Sequence, residues 1–84
     1  MPIRFEETAW EDYLYWQSNS RQTLKRVNQL IKDIQRSPFD GIGKPEALRH
    51  QLSGFWSRRI DEENRLVYTV QDDVLIIVQC RYHY

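Results

Sequence analysis

Three side chains in the second half of the sequence, Glu46, Arg65 and His83, are of the types needed to cleave a phosphodiester bond without a metal ion. Glu46 is the candidate base that removes the proton of a ribose 2′-hydroxyl. His83 is the candidate acid for the leaving 5′-oxygen, because an imidazole offers both protonation states near neutral pH. Arg65 is the candidate for stabilising the charge of the phosphorane-like transition state, with Arg59 and Lys44 as phosphate contacts.

Each of these residues also has a plain structural interpretation. Glu46 could be a solvated loop carboxylate. Arg65 could form an exposed ion pair with Asp61 or Glu62 across a turn, which would contribute ~0 to 1 kcal/mol. His83 is the penultimate residue, and chain ends usually fray.

The elements that must position these residues follow from hydrophobic periodicity and breakers. Ile3 and Phe5 predict a short first strand, and Thr8 to Glu11 has the form of a capping box opening a helix with Trp10, Tyr13, Leu14 and Gln17 on one side. Asn19-Ser20 predicts the cap of a second helix, ended by Pro38, with an apolar stripe of Leu24, Val27, Leu30, Ile31 and Ile34. Strands are predicted at His50 to Leu52, Phe55 to Asp61, Asn64 to Gln71 and Val74 to Tyr82.

These elements predict an α+β fold in which an N-terminal helical hairpin packs on one face of a largely antiparallel sheet. If both hairpin loops contain an odd number of residues, one face gathers the polar side chains of Ser57, Arg59, Arg65, Gln79, Arg81 and His83. The helix-covered face then holds Ile60, Leu66, Tyr68, Val70, Val74, Ile76, Val78 and Cys80. Val67, Leu75 and Ile77 would form an apolar patch on the open side that a partner could cover.

Length and composition indicate one globular domain over residues 1–84, with 40% hydrophobic and 29% charged residues and no net charge. Residues 21–60 carry nine bases against three acids, a distribution that either attracts phosphates or only marks solvated faces. No stretch is long and apolar enough to span a bilayer and the N-terminus lacks the order of a secretory signal, so we expect a cytoplasmic protein without a membrane association. Cys80 is expected to be buried and inert, and no metal or cofactor is expected.

Five segments taken together resemble the YoeB/Txe toxins of bacterial toxin–antitoxin systems, which belong to the RelE-like ribonuclease superfamily. They run almost from end to end in order: Trp10 to Trp16, Gly43 to Glu46, Leu52 to Ile60, Arg65 to Tyr68 and Cys80 to Tyr84. The last segment ends in Arg-Tyr-His-Tyr.

The resemblance implies a RelE-like fold and cleavage of messenger RNA at the ribosomal A site. It implies Glu46 as base, His83 as acid and Arg65 as transition-state stabiliser. It further implies substrate contacts from Lys44, Arg49, Arg59 and Tyr84. Arg49 stands where the family motif more often has lysine and keeps the positive charge. Trp56 and Tyr84 are also candidates for stacking on bases, although Trp56 fits a core position better.

The resemblance also implies an antitoxin partner of the YefM type and allows a toxin homodimer. We place the patch of Val67, Leu75 and Ile77 in the antitoxin site, so that Ile77→Lys would weaken the complex. The alternative function is a non-catalytic module of the same fold that binds RNA, the ribosome or an antitoxin. A related gyrase-inhibiting toxin would lack the set of Glu46, Arg65 and His83, and a binder would have no reason to retain both an acid and a base.

Overall fold

The computed structural model describes residues 1–83, which form two helices and a five-stranded sheet. The elements are β1 (Ile3–Phe5), α1 (Glu7–Asn19), α2 (Arg21–Arg36), β2 (Glu46–Ala47), β3 (Trp56–Arg59), β4 (Arg65–Gln71) and β5 (Val74–Gln79). The strand order is β1-β5-β4-β3-β2, with β1 parallel to β5 and the other pairs antiparallel. Both helices contribute to one core against the inner face of the sheet, which confirms the predicted α+β architecture. No helix within residues 1–83 has the length and apolar character to cross a membrane.

The second helix forms as predicted. The hydroxyl of Ser20 accepts a hydrogen bond from the backbone N–H of Thr23 at 3.2 Å, and the helix ends at Arg36, two residues before Pro38. The predicted stripe lies in the core, with four members buried and Leu24 half-buried. The cap and the apolar periodicity of the sequence therefore predict both the start of α2 and the side that packs in the core.

The first helix begins one residue before Thr8, so the predicted capping box is wrong. Glu6 is the cap residue and makes no side-chain hydrogen bond to the helix. Its backbone N–H bonds instead to the carbonyl of Ile77, because β1 runs directly into the helix. The buried face of the helix carries Ala9, Asp12 and Trp16. The side predicted to hold Trp10, Tyr13 and Leu14 is more open, since Trp10 and Leu14 are exposed and Tyr13 is half-buried.

The segment before β3 differs from its prediction as well. His50–Leu52 is a single 3₁₀ turn rather than a strand, and His50 has a φ of 59°. The edge strand is β2, four residues earlier, so Glu46 lies in the sheet and not in a loop that leads to it.

The second hairpin corrects the predicted register. The loop of the first hairpin is odd, as predicted, with Arg59 opposite Arg65. The second turn contains only Asp72 and Asp73, and both have the positive φ that a tight primed turn requires. This even loop turns Leu75 and Ile77 towards the helices, where both are fully buried, and moves Ile76 and Val78 out of the predicted core positions.

A β-bulge then restores the predicted faces at the end of the sheet. Tyr68 lies opposite Ile77 while Val67 lies opposite Gln79, so Val78 is the extra residue. Cys80 therefore returns to the core, as expected, and burial raises the pKa of its thiol to about 12.

The proposed apolar patch does not exist in this fold. Leu75 and Ile77 are core residues, and Val67 lies on the open side but is only 2% exposed. Ile77→Lys would place a charge inside the core, so it would unfold the protein rather than test antitoxin binding.

Candidate active site

We call the side of the sheet away from the helices the open face. On this face the candidate base, Glu46, lies in one row with residues of the central strands. Glu46 lies opposite Ser57, Ser57 opposite Val67, and Val67 opposite Gln79. Because side chains directly across a sheet point to the same side, this row crosses β2, β3, β4 and β5 on the open face. Glu46 is exposed at one edge of that row.

Two arginines occupy the next position along the same face. Arg59 and Arg65 are direct cross-strand partners. Arg59 follows Ser57 by two residues, and Arg65 precedes Val67 by two residues on the antiparallel strand. Like charges directly opposite one another destabilise a sheet, so this pair does not contribute to the stability of the fold. An anion bound between them would remove the repulsion, as a phosphate group would.

The guanidinium of Arg65 is held in place by the hairpin. Its Nη1 donates to the carbonyl oxygens of Asp61 at 2.6 Å, Asn64 at 3.1 Å and Glu62 at 3.3 Å, and the residue is 9% exposed. The partners are backbone carbonyls, so the interpretation of Arg65 as one half of an exposed ion pair is wrong. The carbonyl bonds fix the guanidinium without pairing its charge, and Asp61 lies close enough to interact with it electrostatically.

The segment that carries His83 is bonded back to the start of β4. The backbone N–H of Arg65 donates to the carbonyl of Tyr82 at 2.9 Å, and the N–H of Tyr82 donates to Asn64 Oδ1 at 2.6 Å. Gln79 Nε2 adds a bond to the carbonyl of Arg81. These contacts place exposed His83 directly after a residue paired with Arg65, which is not the behaviour of a fraying end.

The first helix anchors the same segment from the other side. Trp16 Nε1 donates to the carbonyl of Cys80 at 2.7 Å, and the carboxylate of Asp12 accepts from the Cys80 N–H at 3.1 Å. Burial raises the pKa of Asp12. The guanidinium of Arg81 lies 3.3 Å from the centre of the Tyr15 ring and 4.5 Å from that of Tyr82. The buried side of α1 thus serves to position the chain end.

A buried arginine that the sequence interpretation missed fixes the loop before Glu46. Arg58 is fully buried, and its Nη1 bonds Asp33 Oδ2 at 2.6 Å while its Nε bonds the hydroxyl of Tyr68 at 3.2 Å. Its remaining N–H groups donate to the carbonyls of Ser37, Asp40 and Ile42. The signal was available, because a residue two positions from inward-facing Ile60 must face inward too.

Two glycines allow this loop to reach the sheet. Gly41 has a φ of 132°, and a Cβ there would meet Asp33 Oδ2 at 2.0 Å. Gly43 has a φ of 78°, and its carbonyl accepts the N–H of Arg59 at 2.6 Å. Lys44 follows at once, so this candidate phosphate contact lies beside the end of β3, next to the arginine pair.

The ion pair beneath the loop makes stability depend on pH. The hydrogen bond from Arg58 lowers the pKa of Asp33 from 3.8 to about 2. Since the folded pKa is depressed, the stabilisation is complete above pH ~4 and is lost as the pH falls towards 2. We expect the thermal unfolding midpoint of Asp33→Asn, followed by circular dichroism, to be lower than wild type at pH 7 and to fall less steeply between pH 4 and 2. Exposed Asp40→Asn is the control, and equal slopes for Asp33→Asn and wild type would contradict the assignment.

The remaining predicted contacts are dispersed. Arg49 is exposed and precedes the 3₁₀ turn. Trp56 packs on Phe39 at 4.9 Å between ring centres and faces the core, so it is not a stacking surface for bases. Tyr84 lies outside the described residues.

Two helices on one side of a mostly antiparallel sheet form the RelE-like fold of a class of small toxins, and in this chain the other side of the sheet carries a carboxylate and an arginine pair. Solved structures of that class superpose on the whole chain. A YoeB/ParE toxin from Agrobacterium tumefaciens has a TM-score of 0.98 at 41% identity, and each chain covers 100% of the other. YoeB in the heterotetrameric YoeB-YefM complex from Staphylococcus aureus has a TM-score of 0.92 at 48% identity, covering 100% of this chain and 98% of that one.

Sequence comparison narrows the class to one family. Residues 5–84 match the model of the YoeB-like toxins of bacterial type II toxin–antitoxin systems. Toxin YoeB of Escherichia coli K12 is 60% identical over all 84 residues of both chains. The chain therefore belongs to the YoeB-like toxins of type II toxin–antitoxin systems.

Proposed function

We propose that this toxin is an endoribonuclease that cleaves messenger RNA at the A site of the translating ribosome. The observation that supports the proposal most directly is the cross-strand pair of Arg59 and Arg65, next along the open face from Glu46. The repulsion within that pair is explained if the pair binds a phosphodiester.

The proposed reaction needs no metal ion because side chains supply each step. Glu46 removes the proton of the 2′-hydroxyl, whose oxygen attacks the adjacent phosphorus. Arg65 stabilises the charge that develops on the phosphoryl oxygens, with Arg59 among the phosphate contacts. His83 protonates the 5′-oxygen as the bond breaks, which gives a 2′,3′-cyclic phosphate or 3′-phosphate and a 5′-hydroxyl.

The other proposed substrate contacts lie around this set. Lys44 lies next to the arginine pair, Arg49 follows β2 and would contact a neighbouring phosphate, and Tyr84 would stack on a base.

We also propose that an antitoxin of the YefM type binds the toxin and blocks this face. A related protein has been solved in complex with YefM, and the same S. aureus YoeB has been solved as a dimer. A homodimer of this chain is proposed on the same ground. Action on ribosomes places the toxin in the cytoplasm.

Primer extension on a translating messenger tests the proposed function. Wild type is expected to cut at the A-site codon only when ribosomes are present, and the cuts should fade in Glu46→Ala and in His83→Gln. Glu7→Ala and His50→Gln are matched controls, since both change an exposed side chain of the same type elsewhere. Each variant is first checked for folding by circular dichroism.

The outcomes separate an enzyme from a binder. Loss of the cuts in both site variants, with both controls active, supports the acid and base assignment. A folded wild type that binds ribosomes without cutting would favour the non-catalytic alternative. Undiminished cutting by the site variants would overturn the assigned roles.

A further inference from the structure

The exposed surface of α2 carries one sign of charge along its entire length. Its exposed residues are four bases and two glutamines: Arg21, Gln22, Lys25, Gln29, Lys32 and Arg36. We call this surface the α2 stripe. At 1.5 Å rise per residue it extends about 22 Å. The exposed face of neighbouring α1 carries the acids Glu7 and Glu11 instead, so the stripe is not a property of the whole helical layer.

This charge pattern opposes the stability of the helix. Arg21 lies at the N-terminus of α2, where the helix dipole disfavours a cation, and the first turn has no acid. Arg21 and Lys25 are like charges four residues apart, as are Lys32 and Arg36, and such pairs destabilise a helix. A helix selected only for solubility would pair its bases with acids at this spacing.

Three of the four bases of the stripe have no ion-pair partner in the described part of the fold, and the fourth, Arg36, is paired with Asp33. Within residues 1–83, no carboxylate lies in ion-pair distance of Arg21, Lys25 or Lys32. The one acid of α2, Asp33, is buried and bonded to Arg58 and Arg36. The charge is therefore available to a partner.

We propose that the α2 stripe binds the phosphate backbone of a double-helical RNA, distinct from the strand at the candidate active site. The bases form two pairs, Arg21 with Lys25 and Lys32 with Arg36, each ~6 Å apart along the helix axis. Positive charge at both ends of the stripe suits an extended polyanion. Arginine, lysine and glutamine are the side chains that commonly donate to phosphate and sugar oxygens. If the proposed function holds, the duplex belongs to the RNA of the ribosome. This choice of the ribosome as the source rests on the proposed function, whereas the binding of duplex RNA by the stripe does not.

Three other kinds of partner fit the stripe less well. The apolar side of α2 is fully engaged in the core, so the helix has nothing to insert into a membrane. A protein interface needs buried aromatic or aliphatic anchors, and lysine is depleted there; no exposed residue of α2 is apolar. Single-stranded RNA binds on aromatic platforms, which the stripe also lacks.

The position of the stripe separates it from the cleavage chemistry. The apolar side of α2 faces the sheet, so the stripe points away from the open face that carries Glu46 and Arg65. A duplex on the stripe and a single strand on the open face can thus bind at the same time.

Binding to an RNA duplex of about 16 base pairs, measured by fluorescence anisotropy over a range of salt concentrations, tests the proposal directly. The test variant is Arg21→Gln, Lys25→Gln, Lys32→Gln, which leaves Arg36 on Asp33. The control is Thr8→Glu, Gln17→Glu, Ser18→Glu, which shifts the net charge by the same amount on exposed positions of α1. We expect the test variant to bind about tenfold more weakly or worse, with the slope of log K against log salt reduced by about 2 to 3.

The control decides between a local site and general electrostatics. Equal weakening by the α1 control would show that net charge alone is responsible, and it would overturn the proposal. Unchanged duplex binding by the test variant would overturn it as well. So would loss of affinity for a purified YefM-type antitoxin with duplex binding intact, which would mark the stripe as a protein interface.

A second measurement tests whether the ribosome supplies the duplex. The test variant should need a higher ribosome concentration for half-maximal cleavage while the rate of cutting at saturation stays near wild type. An unchanged half-maximal concentration would overturn the ribosomal source. If wild type makes no cuts at all, the proposed function fails while the duplex measurement still decides the stripe.

Discussion

Replacing Arg58 with methionine is expected to lower the free energy of unfolding by about 3 to 5 kcal/mol. The guanidinium is fully buried and bonded to Asp33, so its removal leaves the buried carboxylate with exposed Arg36 as its remaining ion-pair partner. It also removes the donor of three loop carbonyls. A domain of this size has roughly 4 to 13 kcal/mol of stability in total. Urea unfolding followed by tryptophan fluorescence measures the loss.

Two further variants make this prediction specific. Arg59→Met changes the adjacent, exposed arginine and should shift the unfolding free energy by less than about 0.5 kcal/mol. Arg58→Met combined with Asp33→Leu removes both charges and should recover part of the loss, since paired hydrophobic replacement of a buried ion pair is often tolerated. If Arg58→Met unfolds at the wild-type midpoint, the buried guanidinium does not hold the loop. If Arg59→Met is the more damaging change, Arg59 and not Arg58 is the arginine that stabilises the core.

The second large effect concerns the leaving group. His83→Gln is expected to slow the chemical step by about 10² to 10⁴, the usual contribution of a positioned general acid. The loss should largely disappear on a messenger in which sulfur replaces the bridging 5′-oxygen at the A-site bond, because a thiolate leaves without protonation. Single-turnover cleavage on ribosomes gives both rates.

The carboxylate variant distinguishes the two roles. Glu46→Gln should be slow on both substrates, because proton removal from the 2′-hydroxyl is still required when the leaving atom is sulfur. A His83→Gln defect that persists in full on the sulfur substrate would show that His83 positions the RNA and does not donate the proton. Rescue of Glu46→Gln by sulfur would exchange the proposed roles.

The sequence predicted the elements that local chemistry decides. Ser20 has the side chain of a helix cap and the apolar stripe of α2 has the period of a helix, so residue type and spacing alone predict both. The odd first hairpin loop was predicted correctly from alternation, and it correctly placed Arg59 and Arg65 on one face. The resemblance to the toxin family was visible in the same residues and is confirmed by the family match.

The errors arose where distant contacts decide local structure. The turn at Asp72 and Asp73 has an even number of residues where an odd number was predicted. The strand that follows is continuously apolar, so its sequence pattern does not show which residues face the helices. The bulge at Val78 compensates for it, so Gln79 and Cys80 were assigned to the right faces although Leu75 and Ile77 were not. α1 starts early because Glu6 pairs with β5, more than 70 residues away along the chain.

For the candidate site, the sequence by itself determined which chemical groups are present: a carboxylate, several arginines and a histidine near the end. Only the tertiary structure decided that Glu46 enters an edge strand, that Arg65 is fixed by carbonyls, and that the chain end is bonded to β4. It also showed that Arg58, whose inward position follows from strand alternation, is bonded to Asp33 and to the carbonyls of the loop. The physical reason is that residue type fixes what a side chain can donate, accept or protonate, whereas its neighbours depend on register, turns and burial, which the whole fold settles together.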